Sequence, residues 1–320
     1  TLDIDWSDKQ AKAQALDRLY CELESLDLWL VETFPQASKQ GPLKEARQTL
    51  DRLICQDIEP GETNIVSIIQ GVAKNRQISV EDEEMRHGRK SKKKRFDGYK
   101  RHIGIDVDEK LILSAEVTAG NVSDAEAFDL LVKGALEQER KLKSLLFDRQ
   151  YLHAEQVAKL REQGVEILCK SPASHNKNGL WSKRDFGIDV KNMKATCPAG
   201  ECVPFELGKV VEFPAISCDI CGVREQCTTR EPGFGRTIQI HENEKMFQEL
   251  REVEGDSEGK QKLRKRVGVE HALGHVSQRQ GNQARYDGTR KNLFELRIVC
   301  MIQNLERTQA MIAQNEKMAA

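Results

Sequence analysis

The sequence predicts an α/β protein built on a mixed sheet. Three observations predict it. His102–Val107 and Leu111–Val117 are β-like runs separated only by Asp108-Glu109-Lys110, a hairpin arrangement. The apolar run Leu142–Phe147 reads as a buried strand that ends in Asp148. A helix over roughly His153–Gln163, closed by Gly164 in a C-cap role, then leads to a further strand, Val165–Cys169. An antiparallel start that passes into alternating helix and strand makes the sheet mixed.

Each remaining element has its own local signal. Ala11, Ala15, Leu19, Leu23 and Leu26 recur three and four apart, as do Leu43, Ala46, Leu50 and Leu53, so residues 7–56 are expected to form two or three helices. Pro35 and Gly41-Pro42 break that run. Ile78-Ser79-Val80 is a short β-like piece, followed by a basic loop. Thr118–Ser123 is a turn, and Ser123 or Asp124 caps a helix expected to reach about Arg140. Residues 170–245 interrupt the rhythm with Pro, Gly, Cys and short β-like pieces. The chain is expected to be strongly helical and charged from about Phe247 to Gln280, with a last helix over roughly Leu293–Met311. The domain reading is a helical accessory region over 1–77, the first part of the core over 78–169, a Cys-rich insertion over 170–246 and a helical remainder over 247–320.

Composition narrows the class. At 320 residues the chain can bury a full core. Net charge is −1 with 32% charged residues, yet the signs are segregated, acidic early and basic in two later stretches. No apolar run approaches the length a bilayer requires, so a membrane partner is excluded as a helical span. Nine cysteines, five of them between Cys197 and Cys227, fit a reduced cytosol with a metal site better than a disulfide framework. The chain begins at Thr1 rather than Met, and the expectation is a fragment.

Four clusters carry chemistry. Asp148, at the end of an apolar strand, is placed as ligand-binding carboxylates are in open α/β sheets, or simply starts a turn. Glu270 lies four residues after Arg266, so the two share a helical face, as a working pair or as a solvated ion pair of little weight. Arg86–Arg101 holds nine Lys or Arg with Phe96 and Tyr99 interleaved, enough to contact phosphates, although a solvated loop would look alike. Its candidate contacts are Arg89, Lys90, Lys92, Lys93, Lys94 and Lys100, to which Arg266, Arg279, Arg285 and Lys291 around Glu270 are added. Finally, Cys218-Asp-Ile-Cys221 is a knuckle, with Cys227 six residues on and Cys197 or Cys202 upstream. Four thiolates would hold a structural Zn²⁺, with an iron–sulfur cluster or metal-free thiols as alternatives.

Taken together these stretches resemble the DDE transposases of bacterial insertion sequences. Arg86-His-Gly-Arg-Lys-Ser with Phe96-Asp-Gly-Tyr-Lys-Arg-His102 resembles the family's "fdGYKrH" strand entry. Val117-Thr-Ala-Gly-Asn-Val-Ser-Asp124 is similar to its "vTpGNvhD" turn, and Phe147-Asp148-Arg-Gln-Tyr151 to its "aDrgY" motif. Val269-Glu270-His271, Arg279-Gln-Gly281, Ala284-Arg285-Tyr286, Arg290-Lys-Asn-Leu293 and Asn304-Leu305 resemble the segment around the family glutamate. The resemblance implies an RNase H-like core, and two Mg²⁺ or Mn²⁺ ions roughly 3.5–4 Å apart held by carboxylates that include Asp148 and Glu270. It further implies cleavage and strand transfer on double-stranded DNA, at the element's terminal repeats and at the target, by a homodimer in the bacterial cytoplasm. Arg266 would touch DNA phosphate.

The departures are specific. Leu263 and Ser277 stand where relatives carry Tyr and Lys, and Gln150 replaces a Gly. The first aspartate of the family has no matching context here, and its strand is expected upstream of Thr1. Asp82 and Asp106 are the internal substitutes, whereas Asp124 reads as a helix cap. Three rival functions remain at this point: a non-catalytic DNA-binding remnant, a metal-dependent nuclease without strand transfer, and a regulatory zinc module, which would leave the 86–151 motifs unexplained.

Overall fold

The computed structural model describes residues 4–5, 7–60, 65–71, 73, 75–91, 93–138, 141–174 and 179–319. It divides into two compact units. One contains Thr1–Arg101, Val117–Val122 and Gln280–Arg297; the other contains His102–Glu116, Ser123–Arg279 and Ile298–Ala320.

In the first unit, α1 (Lys9–Thr33) is capped by Asp8, whose carboxylate accepts from Gln10 N. A 3₁₀ turn at Ala37–Lys39 leads into α2 (Gly41–Asp57), with Pro42 in its first turn, where its missing N–H costs nothing. The two helices are fastened by a two-pronged ion pair from Arg47 to Asp27, at 2.5 and 2.8 Å. Strands β1 (Ile58–Pro60) and β2 (Val66–Ile68) pair antiparallel. The expected strand at Ile78–Val80 does not form. Backbone there is held by side chains instead, with Gln77 Nε2 donating to Ser79 O and Gln56 bonding both backbone groups of Gln77.

The basic stretch is a hairpin rather than a loop. Strand β3 (Arg86–Arg89) pairs antiparallel with β4 (Arg95–Ile105), Arg86 opposite Gly98 and Arg89 opposite Arg95. Strand β5 (Ile112–Ala119) completes the order β3-β4-β5. Gly120 explains the Gly-Asn turn that follows. A Cβ there would stand 2.6 Å from Arg86 O and 3.0 Å from Gly98 O, so only glycine lets the chain pass.

In the second unit, Asp106 closes the turn before β5, its Oδ1 accepting from Asp108 N and Glu109 N. Ser123 caps α3 (Asp124–Leu136) by accepting from Ala125 N. The expected end of that helix at Arg140 lies outside the described residues. Strand β6 (Ser144–Phe147), a 3₁₀ turn (Arg149–Tyr151), α4 (Ala154–Glu162) and β7 (Glu166–Cys169) follow, with β6 and β7 parallel and Phe147 opposite Cys169. Gly164 ends the helix at φ +81. Hydrogen bonding thus places β3-β4-β5 and β6-β7 in separate sheets, where one mixed sheet was expected. Phe128, Val157, Leu160, Ile167, Phe247 and Leu250 form the core beneath β6 and β7.

Residues 170–246 carry short strands around a core of their own within this unit. Strands β8 (Gly187–Asp189), β9 (Lys194–Thr196) and β10 (Cys202–Pro204) make an antiparallel meander, and β11 (Val210–Glu212) pairs with β12 (Thr237–Gln239). Helices α5 (Ala215–Asp219) and α6 (Arg224–Cys227) lie between the last two strands. Phe186, Phe205, Val211, Phe213, Ile238 and Ile240 fill the interior. The stretch begins at Ser171, whose N–H and hydroxyl both reach the Glu254 carboxylate, at 2.8 and 3.1 Å.

The helical stretch expected over 247–280 is made of three helices: α7 (Glu244–Gly255), α8 (Ser257–Arg264) and α9 (Val267–Gln280). Asp256 breaks the first junction by capping α8, accepting from Gly259 N at 2.9 Å. Helix α10 (Thr289–Ala319) is longer than expected at both ends. Its Asn304 side chain bonds both backbone groups of Ile112, each at 2.8 Å, and so fixes the helix to the start of β5.

Candidate functional site

Asp148 follows the last residue of β6, where the parallel pairing with β7 ends. Its Oδ1 accepts from Gln150 N at 3.1 Å, which turns the chain sharply and leaves Oδ2 facing out. Oδ2 accepts from Arg266 Nη1 at 2.5 Å, while Arg266 Nη2 reaches Glu270 Oε1 at 3.1 Å. One guanidinium therefore spans both carboxylates that the sequence singled out. The side chains are 37%, 35% and 59% exposed for Asp148, Arg266 and Glu270, open enough for another cation to enter.

The Asp148 turn is anchored from beneath. Tyr151, three residues on, shares a hydrogen bond with His102 Nδ1 on β4 at 2.7 Å, the two rings edge to face. Burial, followed by the charges of Asp124 and Asp148, pushes the Tyr151 phenol above its ordinary value, so it stays protonated. Two of the stretches that resembled family motifs thus meet through one bond. Beside Asp148, the Cys169 thiol is fully buried and pushed up to about 12 by that burial and by the Asp148 charge, so it is protonated near neutrality.

A cleft of about 630 Å³ opens next to this pair and is strongly basic. Arg149, Lys170, Arg184, Lys260, Arg264 and Arg266 line it, with Glu254 the one acidic residue among the lining. Arg264 and Arg266 belong to the basic surroundings of Glu270 that the sequence already shows. Lys260, Arg264 and Arg266 lie within seven residues, whereas Arg149, Lys170 and Arg184 are scattered along the chain, so no single window of composition collects the whole set.

The remaining expected DNA contacts are distributed differently. Arg89, Lys90, Lys93 and Lys94 are exposed around the β3–β4 turn, and Lys92 lies outside the described residues. Lys100 donates to Val122 O at 2.7 Å. Arg279 pairs with Glu306, and Arg285 with Glu295 at 3.1 Å. Lys291 is exposed.

Both internal candidates for a further carboxylate are engaged in local structure. Asp82 is 3% exposed, and the Tyr99 hydroxyl lies 2.7 and 2.5 Å from its two oxygens. That hydroxyl also accepts from Gly288 N at 3.0 Å. Asp106 holds the turn described above. Among the described residues, no group of three His, Cys, Asp or Glu side chains stands in metal-ligating geometry.

All nine cysteines are free. Of the five clustered ones, Cys197, Cys218, Cys221 and Cys227 are partly buried and Cys202 is exposed. Burial raises the Cys227 thiol; Arg236 opposes that shift, and Cys218, Cys197 and Cys221 add to it, so the other three thiols lie within electrostatic reach of Cys227.

The family model of the transposase DDE domain matches residues 72–305. No curated protein and no solved structure matches the chain. No helix among the described residues is long and apolar enough to cross a membrane.

Proposed function

The chain belongs to the transposase DDE domain family, and from that premise we propose that it supplies the DNA-binding and metal-holding part of a magnesium- or manganese-dependent strand-transfer enzyme. The observation that carries this reading is the carboxylate pair Asp148–Glu270, held by one cation beside a basic cleft. The donor set fits Mg²⁺ or Mn²⁺, since hard cations of this kind take oxygen ligands, commonly one or two carboxylates completed by phosphates and water.

Bound there, the metal would activate an attacking hydroxyl and stabilise the leaving 3′-oxygen. The chain's own residues do the rest. Asp148 is aimed by the Gln150 N–H behind it, and Tyr151 and His102 fix the turn. Arg266 keeps two negative groups together in the resting state; released from them, its guanidinium is placed to take a DNA phosphate. Arg149, Lys260 and Arg264 then track the backbone along the cleft by charge, which gives affinity without sequence choice.

We assign an RNase H-like core and DNA-end cleavage and joining, on a homodimer, to the assembled enzyme. Asp82 and Asp106 are taken up in local structure, which leaves Asp148 and Glu270 as the carboxylates we assign to the metal; we further propose that the chain binds duplex DNA. A second reading, a DNA-binding remnant without chemistry, is favoured by the Arg266 ion pairs, which satisfy both carboxylates with no metal.

The test is Mn²⁺ binding by calorimetry together with joining of pre-cut duplex ends. The proposal expects Mn²⁺ to bind the chain and Asp148→Ala or Glu270→Ala to abolish that binding, with duplex affinity kept. Lys260→Ala/Arg264→Ala should lower the log–log salt slope of DNA binding by about 2. Mn²⁺ binding untouched by both carboxylate variants would overturn the metal assignment. A chain that binds DNA and no metal supports the remnant, and cutting without joining identifies a simple nuclease.

A further inference from the structure

We propose that Cys197, Cys218, Cys221 and Cys227 bind one structural zinc ion that closes the 170–246 stretch, with Cys202 outside the site. Two backbone turns present the ligands. Cys221 N donates to Cys218 O at 3.3 Å, which folds Cys218-Asp-Ile-Cys221 into a tight knuckle at the end of α5, and Arg224 N donates back to Cys221 O at 3.1 Å to start α6, which ends at Cys227. On the other side, Gly200 N donates to Cys197 O at 2.9 Å and Cys197 N to Glu201 O at 2.8 Å. Gly200 takes φ +92 to allow that turn.

Burial selects the four. Cys197, Cys218 and Cys227 pack against the same apolar core, Cys221 follows Cys218 in the knuckle, and Cys202 faces solvent on β10. The side chains around them supply an independent sign. Arg236 Nε is buried with no hydrogen-bond partner, although the same guanidinium donates to Trp181 O at 3.2 Å and lies over the Phe186 ring. The Arg236 charge acts directly on Cys227. A buried guanidinium N–H without an acceptor is costly. Four thiolates around one Zn²⁺ carry a net negative charge, and a neighbouring N–H donor is the outer-shell group such a site uses.

No three of these thiols already stand in ligating geometry, so the ion must draw them in, coupling metal binding to the final folding of this stretch. The stretch has reason to need it. Its strands are three residues long and its core is small, which is where metals replace hydrophobic burial. Zinc suits four sulfur ligands in a tetrahedron and brings no redox chemistry.

The experiment is metal analysis of the full chain purified under reducing conditions, with Co²⁺ substitution as a spectroscopic readout. One zinc per chain is expected, with the intense sulfur-to-cobalt absorption of a tetrahedral thiolate site. Cys202→Ser should keep both, and Cys218→Ser or Cys227→Ser should lower zinc content by roughly 10-fold or more. If those variants fail to fold, thiol-reagent titration of the wild type decides, since stoichiometric zinc release on modification is required. A metal-free chain, an iron–sulfur spectrum, or loss of zinc in Cys202→Ser with retention in Cys197→Ser would overturn the assignment. None of these readouts involves DNA or Mn²⁺, so the outcome is separate from that of the transposase reading.

Discussion

His102 and Tyr151 lie 49 residues apart in sequence and share one hydrogen bond of 2.7 Å, buried beneath the turn that aims Asp148. That bond gives the tyrosine of the Asp-Arg-Gln-Tyr turn a positioning role, since the ring packs on the core and the hydroxyl fixes where the turn sits. Tyr151→Phe keeps the packing and removes the hydroxyl. It should cost about 1 kcal/mol of stability, readable by urea denaturation, and weaken Mn²⁺ binding without changing duplex affinity.

Arg266 is a resident cation that any metal has to displace. Its ion pairs are more than one-third exposed, so their combined worth is modest, about 1 kcal/mol. Removing it frees both carboxylates. Arg266→Ala is therefore expected to tighten Mn²⁺ binding roughly 5-fold while weakening binding to duplex DNA. Calorimetry for the metal and fluorescence anisotropy for the DNA separate the two effects. Opposite signs are the signature; loss of both affinities would mean that Arg266 supports the fold of the site instead.

Glu244 is fully buried at the start of α7 and paired with Lys183 and with Arg251, the latter at 3.0 Å. Burial alone would raise its carboxyl, but the hydrogen bonds from Lys183 and Arg251 outweigh it and hold the group below the ordinary glutamate value. A depressed carboxylate adds stability that is complete above the unfolded value of about 4.3 and is lost as pH falls through the lower, folded one. Melting temperature should fall through that window more steeply in the wild type than in Glu244→Gln. Glu244→Ala, which strands two cations, should cost roughly 3–5 kcal/mol at neutral pH.

What the sequence could disclose was local. The alternation of Ile112–Val117, the apolar Leu145–Phe147 and the Ser123 cap all depend on neighbours within a few residues, and all appear in the fold. The β3 strand escaped because Arg86-His-Gly-Arg89 contains no apolar residue; its pairing comes from Phe96 lying across Gly88, a contact between strands. The helix breaks at Asp256 and near Arg266 were obscured by a charged pattern that continues through both. Asp148, Glu270 and Arg266 could each be named, and the Arg266–Glu270 pair follows from their spacing, but not the Arg266–Asp148 bond, because a bridge across 118 residues leaves no periodic trace. The engagement of Asp82 by Tyr99 is of the same kind.

The Glu254 carboxylate has an architectural consequence. It grips Ser171, where the chain leaves β7, from the very helix on which the chain comes back. Departure and return are thus moored to one post, and the excursion between them closes on itself before the rest of the unit feels it. Its length and contents are free to drift, since lengthening an already closed loop adds only a slowly growing entropic cost. A stretch moored this way can be exchanged for another without redesigning the strands that Asp148 depends on.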